Sequence, residues 1–331
     1  MAVVLRFSPA AMGSCRFAVS PLRETAAAVR LLATDRAAGF HEPWLRAVAP
    51  ALESLDLTPL MLLTPRRTWG ADFITPPPTR PVARFATELN QVRRTDPAVV
   101  RQEIDRCLTE RFGARRPSSA RVLAGDGTAA RDLCADLLET AWNVLVRPWW
   151  KRIRQVLQAD VAYRAQALAQ SGLAAVLGDL HRNARWSRNA LTMEMNLDVE
   201  RRVGHEGVLL IPGVFNWPGL GVAYDPPSPP TVDYSARGIA AVWQSTPPDP
   251  ERLGRLIGRR RGVLLAALDE PASTTGLAAS CGLPVSSVSE QLAILRDAGL
   301  IETWRIGRSL QHARTPIGTA LVESGSGPTQ D

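Results

Sequence analysis

Lysine is almost absent from this chain, and its scarcity limits what the basic charge can indicate. The chain has 39 basic residues and a net charge of +7, yet Lys151 is its only lysine. A basic surface attracts phosphates without regard to sequence. However, an excess of arginine alone, on a background rich in alanine, leucine, proline and glycine, is typical of a GC-rich genome. Charge by itself therefore gives only weak support to nucleic-acid binding.

Cysteine is also scarce, and its spacing argues against two kinds of site. The chain has four cysteines and four histidines. The cysteines are too far apart to indicate a disulfide framework or a C-x-x-C metal site, and the histidines show no ligand spacing. We expect reduced thiols, a cytoplasmic location, no metal and no other cofactor. The cysteines are Cys15, Cys107, Cys134 and Cys281.

Long apolar runs are missing as well. The longest uncharged run, GVLLIPGVFNWPGLGVAY at 207–224, is interrupted by prolines and glycines, whereas a membrane-spanning helix needs about 20 apolar residues. The opening MAVVLRFSPA has Arg6 and Pro9 within or beside its apolar stretch, unlike a secretory signal. We expect a protein that neither spans a membrane nor is secreted.

The common catalytic motifs are the fourth absence. Lys151 follows two tryptophans rather than a glycine-rich phosphate-binding loop, and neither G-x-S-x-G nor H-E-x-x-H occurs. We therefore expect that the protein is not an enzyme. An unrecognised catalytic site, fused to the C-terminal domain described below, stays open as an alternative.

Helical periodicity is what the first half of the chain does contain. The 331 residues, 45% of them hydrophobic, predict a folded protein of two or three domains. Apolar side chains recur at helical spacing in 22–33, in AVVRQEIDRCLTERF at 98–112 and in the long segment 149–172. We predict that residues 1–186 are largely helical.

The pattern changes after residue 186. Residues 190–201 alternate between apolar and polar, and LLIPGVF is a short, continuous apolar run. These patterns predict a small antiparallel sheet in a strand-rich part at 190–243. The proline-rich QSTPPDP at 244–250 predicts a linker. It would separate an N-terminal regulatory, effector-binding or interaction domain at 1–243 from a C-terminal domain.

The C-terminal segment 251–322 predicts a winged helix-turn-helix. Residues 251–268 indicate one helix, with Leu256 among the residues available for burial, and two shorter helices follow with a tight turn at Gly282 between them. A hairpin comes next, and residues 323–331 predict a flexible tail. The predicted fold class is therefore α+β: a largely helical N-terminal domain with a small antiparallel sheet, then a winged helix-turn-helix.

The third helix of this segment is the predicted DNA-reading element. Helical spacing places Val288, Leu292 and Leu295 on its buried side, so the polar side chains face outward. Serine, glutamine and glutamate suit contacts to base edges, and arginines in the hairpin suit phosphates; a merely solvated helix face is the alternative. The predicted DNA-binding residues are Thr274, Thr275, Ser286, Ser287, Ser289, Glu290, Gln291, Arg305 and Arg308.

These motifs resemble the ArsR-type winged-helix repressors. The resemblance covers the last quarter of the chain and rests on a Leu-Ala pair, a Gly-Leu turn, Val-Ser, Leu-x-x-Ala-Gly-Leu and a Gly-Arg wing. It implies a dimeric, sequence-specific transcription regulator that binds double-stranded DNA, usually as a repressor. Pro284, Glu290 and Gln291 depart from the family pattern, so no operator preference follows from it. The matching positions are Leu277, Ala278, Gly282, Leu283, Val288, Ser289, Leu295 to Leu300, Gly307 and Arg308.

Upstream segments such as HEPWL and LLIPGVFNWP resemble a poorly characterised actinobacterial group, in which a long N-terminal domain precedes an ArsR-type winged helix. The resemblance implies a one-component regulator and names no effector. Trp142, Trp149, Trp150 and Trp217 are candidates for lining a small-molecule effector pocket, with core packing as the alternative. A winged helix used only for protein contact is a further alternative function.

Overall fold

The structure, a computed structural model, divides the chain into two compact units, Met1–Trp243 and Gln244–Asp331. It describes residues 1–33, 39–65, 68–243, 250–268, 271–306 and 309–324. Nearly all of the predicted linker at 244–250 lies outside these ranges, as does most of the predicted tail at 323–331. Within the described ranges, no helix has both the length and the apolar character needed to cross a bilayer.

The predicted fold class is confirmed, since helices, sheets and a C-terminal helix-turn-helix are all present. Several helices of the N-terminal unit begin where the sequence offers a side-chain cap. Ser20 Oγ accepts a hydrogen bond from the Arg23 amide at 3.1 Å. Asp96 Oδ1 accepts one from the Ala98 amide at 2.8 Å, at the start of the helix that begins with Pro97. The helices are α1 (Pro9–Gly13), α2 (Pro21–Leu32), α3 (Glu42–Leu52), α4 (Thr58–Leu63), α5 (Phe85–Arg94), α6 (Pro97–Phe112), α7 (Gly127–Ala141), α8 (Trp150–Gly178) and α9 (Ala240–Trp243).

These helices bury one large apolar core. Trp44 is fully buried at its centre and donates its indole hydrogen to the Leu145 carbonyl at 2.8 Å, so its polar atom is satisfied inside the core. Ile104 and Leu138 pack into the same cluster. Burial of this apolar surface is the main stabilising contribution to the helical part.

The strands differ from the single antiparallel sheet that the sequence predicts, because the N-terminal unit has two mixed four-stranded sheets. One has the order β3-β4-β1-β5, with β1 parallel to β5; the other has the order β2-β6-β8-β7, with β6 parallel to both β2 and β8. The strands are β1 (Ala2–Phe7), β2 (Arg16–Phe17), β3 (Ala184–Ser187), β4 (Ala190–Glu194), β5 (Val199–Val203), β6 (Leu209–Gly213), β7 (Leu220–Ala223) and β8 (Thr231–Ser235).

Two N-terminal strands account for part of the difference, and the parallel pairing of β6 with β8 accounts for the rest. β1 and β2 come from the region predicted to be helical, and they complete sheets whose other strands lie at residues 184–235. β6 is buried at every position, as expected for a strand with parallel neighbours and covered faces. Pro212 is tolerated in β6 because β2 pairs only with Leu209 and Leu210, before the proline.

The C-terminal unit has the predicted winged-helix order with one additional break. Residues 250–267 form two helices instead of one, because Gly258 takes a left-handed φ of +92° between them. Leu256 is consequently 70% exposed. The elements are α10 (Pro250–Ile257), α11 (Arg259–Ala267), β9 (Ala272–Ser273), α12 (Thr274–Cys281), α13 (Val285–Asp297), β10 (Ile301–Ile306), β11 (Ser309–Arg314) and α14 (Pro316–Ser324).

Candidate nucleic-acid interface

The turn between α12 and α13 has the geometry that the sequence predicts. Gly282 ends α12 with a left-handed φ of +64°, and the Leu283 amide donates to the Ala278 carbonyl at 3.0 Å. Val288, Leu292 and Leu295 are buried in one cluster with Leu277. Their predicted packing is confirmed, and it fixes which face of α13 meets solvent.

The opposite face of α13 is polar over its first two turns. Ser286, Ser289 and Glu290 are exposed, and Ser287 and Gln291 are half-buried. These short side chains lie beside the helix N-terminus, where backbone amide groups are also free of intrahelical partners. The structure therefore brings five of the predicted DNA-binding residues onto one helix end.

An arginine run adds cations that sequence reasoning missed. Because Gly258 separates α10 from α11, Arg259, Arg260 and Arg261 occupy the first turn of α11. Arg260 Nη1 donates to Ser287 Oγ at 3.4 Å, and Arg261 Nη1 donates to Gln291 Oε1 at 3.3 Å. The residues that could have revealed this are the three consecutive arginines themselves, since they interrupt an otherwise apolar pattern.

These cations lie at an electrostatically unfavourable end of a helix. The N-terminus of a helix has the positive end of its dipole, so each cation there costs about 0.3–1 kcal/mol. Among the described residues, neither Arg259 nor Arg260 has a carboxylate within ion-pair distance. A polyanion against this turn would relieve the repulsion.

The two threonines at the start of α12 have different environments. Thr274 Oγ1 is 3.0 Å from His312 Nε2, and Thr303 Oγ1 is 2.9 Å from His312 Nδ1. Burial, and then the charge of Arg296, lower the pKa of His312. The imidazole thus joins α12 to both strands of the hairpin, and Thr274 has a structural hydrogen bond. Thr275 is exposed, with its hydroxyl 3.2 Å from Ser273 Oγ.

The predicted wing is an antiparallel hairpin. β10 and β11 pair from Ile301 with Arg314 to Ile306 with Ser309, and β9 adds a third strand beside β11. Arg305 is exposed near the tip. Gly307 and Arg308, the predicted turn and phosphate contact, lie outside the described residues.

The C-terminal unit has no net positive charge that would indicate binding to nucleic acid. Residues 244–331 contain nine arginines and nine carboxylates, so the net charge of +7 belongs entirely to residues 1–243. Any attraction of the C-terminal unit for phosphates therefore depends on where its arginines lie, and not on their number.

The candidate effector tryptophans pack into two aromatic groups in the N-terminal unit. Trp142 stacks on Phe85 at 4.7 Å between ring centroids and meets the edge of Trp150 at 5.3 Å. Trp149 and Trp217 belong to the second group, around Trp243 and the His41 ring. None of the four is among the described residues that line a cavity of about 460 Å³ in this unit. Their role as effector contacts stays a prediction.

Comparisons with protein-family models match two parts of the chain. Residues 93–240 match a family of unknown function, DUF5937, and residues 260–303 match a helix-turn-helix domain. No curated protein and no solved structure matches the chain. The second match runs from the arginine turn of α11 through α12 and α13 into β10. The C-terminal unit therefore has a helix-turn-helix domain, which is the DNA-binding module of transcription regulators.

Proposed function

We propose that the protein is a sequence-specific transcription regulator that binds double-stranded DNA with α13 in the major groove. The observation that carries the proposal is the polar, exposed first half of α13, to which the arginine turn of α11 is hydrogen-bonded. Ser286, Ser289 and Glu290 would meet base edges, whereas Arg260 would meet the backbone. This division is the usual one in helix-turn-helix complexes.

The hydrogen bonds from α11 give the interface a defined starting geometry. In the free protein Arg261 restrains Gln291, which is the side chain best suited to bidentate pairing with adenine. Arg260 holds Ser287 in the same way. On DNA, Arg260 would exchange its neutral serine acceptor for a phosphate oxygen, a stronger charge-assisted contact.

The finer parts of the proposal follow the ArsR-type resemblance. The protein would act in the cytoplasm as a homodimeric, one-component repressor, with half-sites separated by about one helical turn of DNA or a multiple of it. The N-terminal unit would bind an effector rather than catalyse a reaction. Regulation requires that this effector has different affinities for the DNA-binding and non-binding states.

A second candidate function is a protein-interaction module. The observation in its favour is that the C-terminal unit has no net charge and exposes apolar side chains next to the predicted interface. Trp304, Leu310 and Ile294 are 37%, 46% and 42% exposed. A partner protein could cover these side chains, whereas the major groove offers them few apolar contacts beyond thymine methyl groups.

The test is binding of the full chain to a fluorescent duplex from the region upstream of its own gene. Fluorescence anisotropy is measured over a range of salt concentrations, with a shuffled duplex as competitor. We expect specific retention, with an affinity that falls by about 0.9 decades per decade of salt for each phosphate contact. Gln291→Ala should change preference between duplexes, and Arg308→Ala should weaken all of them alike.

Equal affinity for the upstream and shuffled duplexes would contradict sequence-specific regulation. Absence of any salt-dependent binding would leave the protein-interaction module as the better account. The homodimer is tested separately by analytical ultracentrifugation of the full chain. A monomer at all concentrations would contradict the two-half-site geometry.

A further inference from the structure

The N-terminal unit contains a cavity of about 460 Å³. One wall is a face of α2, and the others come from residues 63–65, 68–72, 74–75, 181–183, 194–197, 216 and 218–224 together with β8. Small-molecule sites usually measure about 300–1,000 Å³. The cavity therefore has room for a ligand of metabolite size.

The α2 wall presents two arginines. Arg23 and Arg30 lie two helical turns apart on one face, and the small Ala26 between them leaves the space open. Arg23 Nη1 donates to Asp233 Oδ2 at 2.7 Å, and Arg30 Nη2 donates to Asn216 Oδ1 at 2.6 Å. The cavity thus has two guanidinium groups on one wall, with Asp233 and Asn216 among their hydrogen-bond partners.

Four lining residues have buried polar atoms without a hydrogen-bond partner in the part of the chain that the structure describes. These atoms are two N–H donors, Arg23 Nε and Trp69 Nε1, the acceptor Asp233 Oδ1 and the hydroxyl oxygen of Thr68. Arg23 and Trp69 are more than nine-tenths buried. An unsatisfied buried polar group costs about 1–3 kcal/mol. Several of them around one cavity are unusual for a purely structural core and indicate a site built for a polar ligand.

The charges of the lining exclude a ligand with charge of only one sign. An anion alone would meet the carboxylates of Asp233 and Asp72, and a cation alone would meet the two guanidinium groups of α2. Leu63, Ile74 and Val222 add an aliphatic surface to the same cavity. The lining therefore suits a molecule with one positive group, one negative group and an apolar side chain.

We propose that this cavity binds a free α-amino acid or a very similar small zwitterion. The carboxylate would pair with the guanidinium groups on α2, the ammonium group with Asp233 and Asp72, and the side chain would lie on the aliphatic surface. Burial, and then the adjacent Glu103 carboxylate, raise the pKa of Asp72 to about 7, and an ammonium group next to Asp72 would favour its charged form. A regulatory role for this binding rests on the proposed function; the binding itself does not.

The proposal is tested on the full chain without DNA. Thermal-shift measurements with each proteinogenic L-amino acid select a ligand, and isothermal titration calorimetry then measures its affinity. The N-acetyl derivative of the selected amino acid lacks the ammonium charge, and its C-terminal amide lacks the carboxylate. We expect both derivatives to bind at least about tenfold more weakly, because the first leaves Asp233 Oδ1 and the second leaves Arg23 Nε without a hydrogen-bond partner. If no amino acid binds, or if either derivative binds as tightly as its parent, the proposal is wrong.

Two variants locate the binding. Asp233→Asn removes the acidic partner with almost no change in volume, and Val222→Phe fills part of the cavity without changing its polar groups. Each should lower the affinity at least about tenfold. Val99→Phe, at an exposed position of α6, is the matched control and should bind normally. If Asp233→Asn fails to fold, Val222→Phe alone decides, and wild-type affinity in that variant would place the ligand elsewhere.

The DNA-binding proposal and the amino-acid proposal can be contradicted independently of each other. DNA retention is measured without amino acid, and amino-acid affinity is measured without DNA. Amino-acid binding without specific DNA retention would contradict the regulator and leave the cavity assignment intact. Specific DNA retention without amino-acid binding would contradict the cavity assignment alone.

Discussion

In the N-terminal unit Arg106 and Arg164 each end on a carboxylate, whereas Arg260 and Arg261 in the C-terminal unit end on neutral oxygen atoms. The first group is neutralised within the fold. The second keeps its charge at the surface. The same residue type thus contributes to internal structure in one unit and is free for an external anion in the other.

This difference shows why the net charge is a poor guide to function here. The excess of +7 belongs to residues 1–243, where many arginines have acidic partners. The electrically neutral C-terminal unit instead concentrates three arginines in one helical turn. The electrostatic field at a surface depends on the local arrangement of charges, and the net charge of a chain contains no information about that arrangement.

The comparison predicts its largest energetic effect at Asp160. This side chain is fully buried and accepts hydrogen bonds from Arg164 Nε at 3.1 Å, from the Tyr234 hydroxyl at 2.7 Å and from the Arg237 amide at 3.0 Å. Asp160→Ala leaves the Arg164 charge buried without this partner and should lower the free energy of unfolding by about 3–5 kcal/mol. Urea unfolding followed by tryptophan fluorescence measures it, since eight of the nine tryptophans precede residue 244.

An exposed ion pair of the same unit provides the control. Asp105 accepts from Arg101 and Arg116, but its side chain is 43% exposed. Asp105→Ala should therefore cost at most about 1 kcal/mol. Similar losses in the two variants would mean that burial does not set the strength of these pairs.

Two glycines extend the comparison from charge to packing. A Cβ added at Gly127 would lie 2.1 Å from the Pro97 carbonyl oxygen, so Gly127→Ala must move backbone. A Cβ added at Gly282 would meet no atom within 4 Å, and only the left-handed φ opposes it. We expect losses of about 3 kcal/mol for Gly127→Ala and about 1 kcal/mol for Gly282→Ala.

Thermal and urea unfolding of both variants measure this difference. Gly282→Asn is the control for backbone strain, because asparagine tolerates the left-handed region better than alanine. It should lose less stability than Gly282→Ala. An equal or larger loss at Gly282 than at Gly127 would contradict the view that the backbone clash at Gly127 costs more than the left-handed φ at Gly282.

Buried carboxylates make the stability of the N-terminal unit depend on pH. Burial raises the pKa of both Glu24 and Glu88 to about 7, although each accepts backbone hydrogen bonds. A carboxyl group whose pKa is higher in the folded than in the unfolded state contributes stability that is present below its unfolded pKa, about 4.3, and is lost as pH rises through the folded value. Lowering the pH from about 8 to about 5.5 should therefore increase the unfolding free energy by about 2 kcal/mol for each of the two groups.

Urea titrations at the two pH values measure this change through tryptophan fluorescence. Glu24→Gln removes one of the groups that titrate in this range, so its unfolding free energy should vary less with pH. The carboxylates of α13 and β10, Glu290, Asp297 and Glu302, are exposed, and the lowered pKa of His312 opposes stabilisation at low pH. The C-terminal unit should therefore not gain stability on the same acidification. A flat pH profile for the whole chain would contradict the raised pKa values.

What the sequence predicts correctly is largely local. The left-handed Gly282 and Gly299 mark the ends of α12 and α13 within a few residues of the apolar positions that define those helices. The hairpin of β10 and β11 likewise follows from neighbouring residues. Such signals need no knowledge of distant segments, and the C-terminal unit consists mainly of them.

The N-terminal sheets and the cavity are different, because their parts come from opposite ends of the unit. Nothing local in Arg16 and Phe17 predicts pairing with Leu209 and Leu210, since a two-residue strand has no period. Parallel pairing depends on such long crossovers. The partnership of Arg23 with Asp233 spans 210 positions and depends on that topology, so the sequence alone could not reveal it.

The smallest predicted effect tests the exposed arginines directly. Arg260→Ala removes a surface cation whose partner among the described residues is a neutral serine, so the unfolding free energy should change by less than about 0.5 kcal/mol. DNA affinity should fall about three- to tenfold on all sequences, and the salt slope should decrease by about 1 because one phosphate contact is lost.

Arg296→Ala, at the other end of α13 next to Asp297, is the matched control and should leave the DNA affinity and the salt slope unchanged. Anisotropy titrations at several salt concentrations measure affinity and slope together. If Arg260→Ala and Arg296→Ala behave alike, the arginine turn of α11 is not part of the interface, and the contrast between paired and free arginines has no functional meaning.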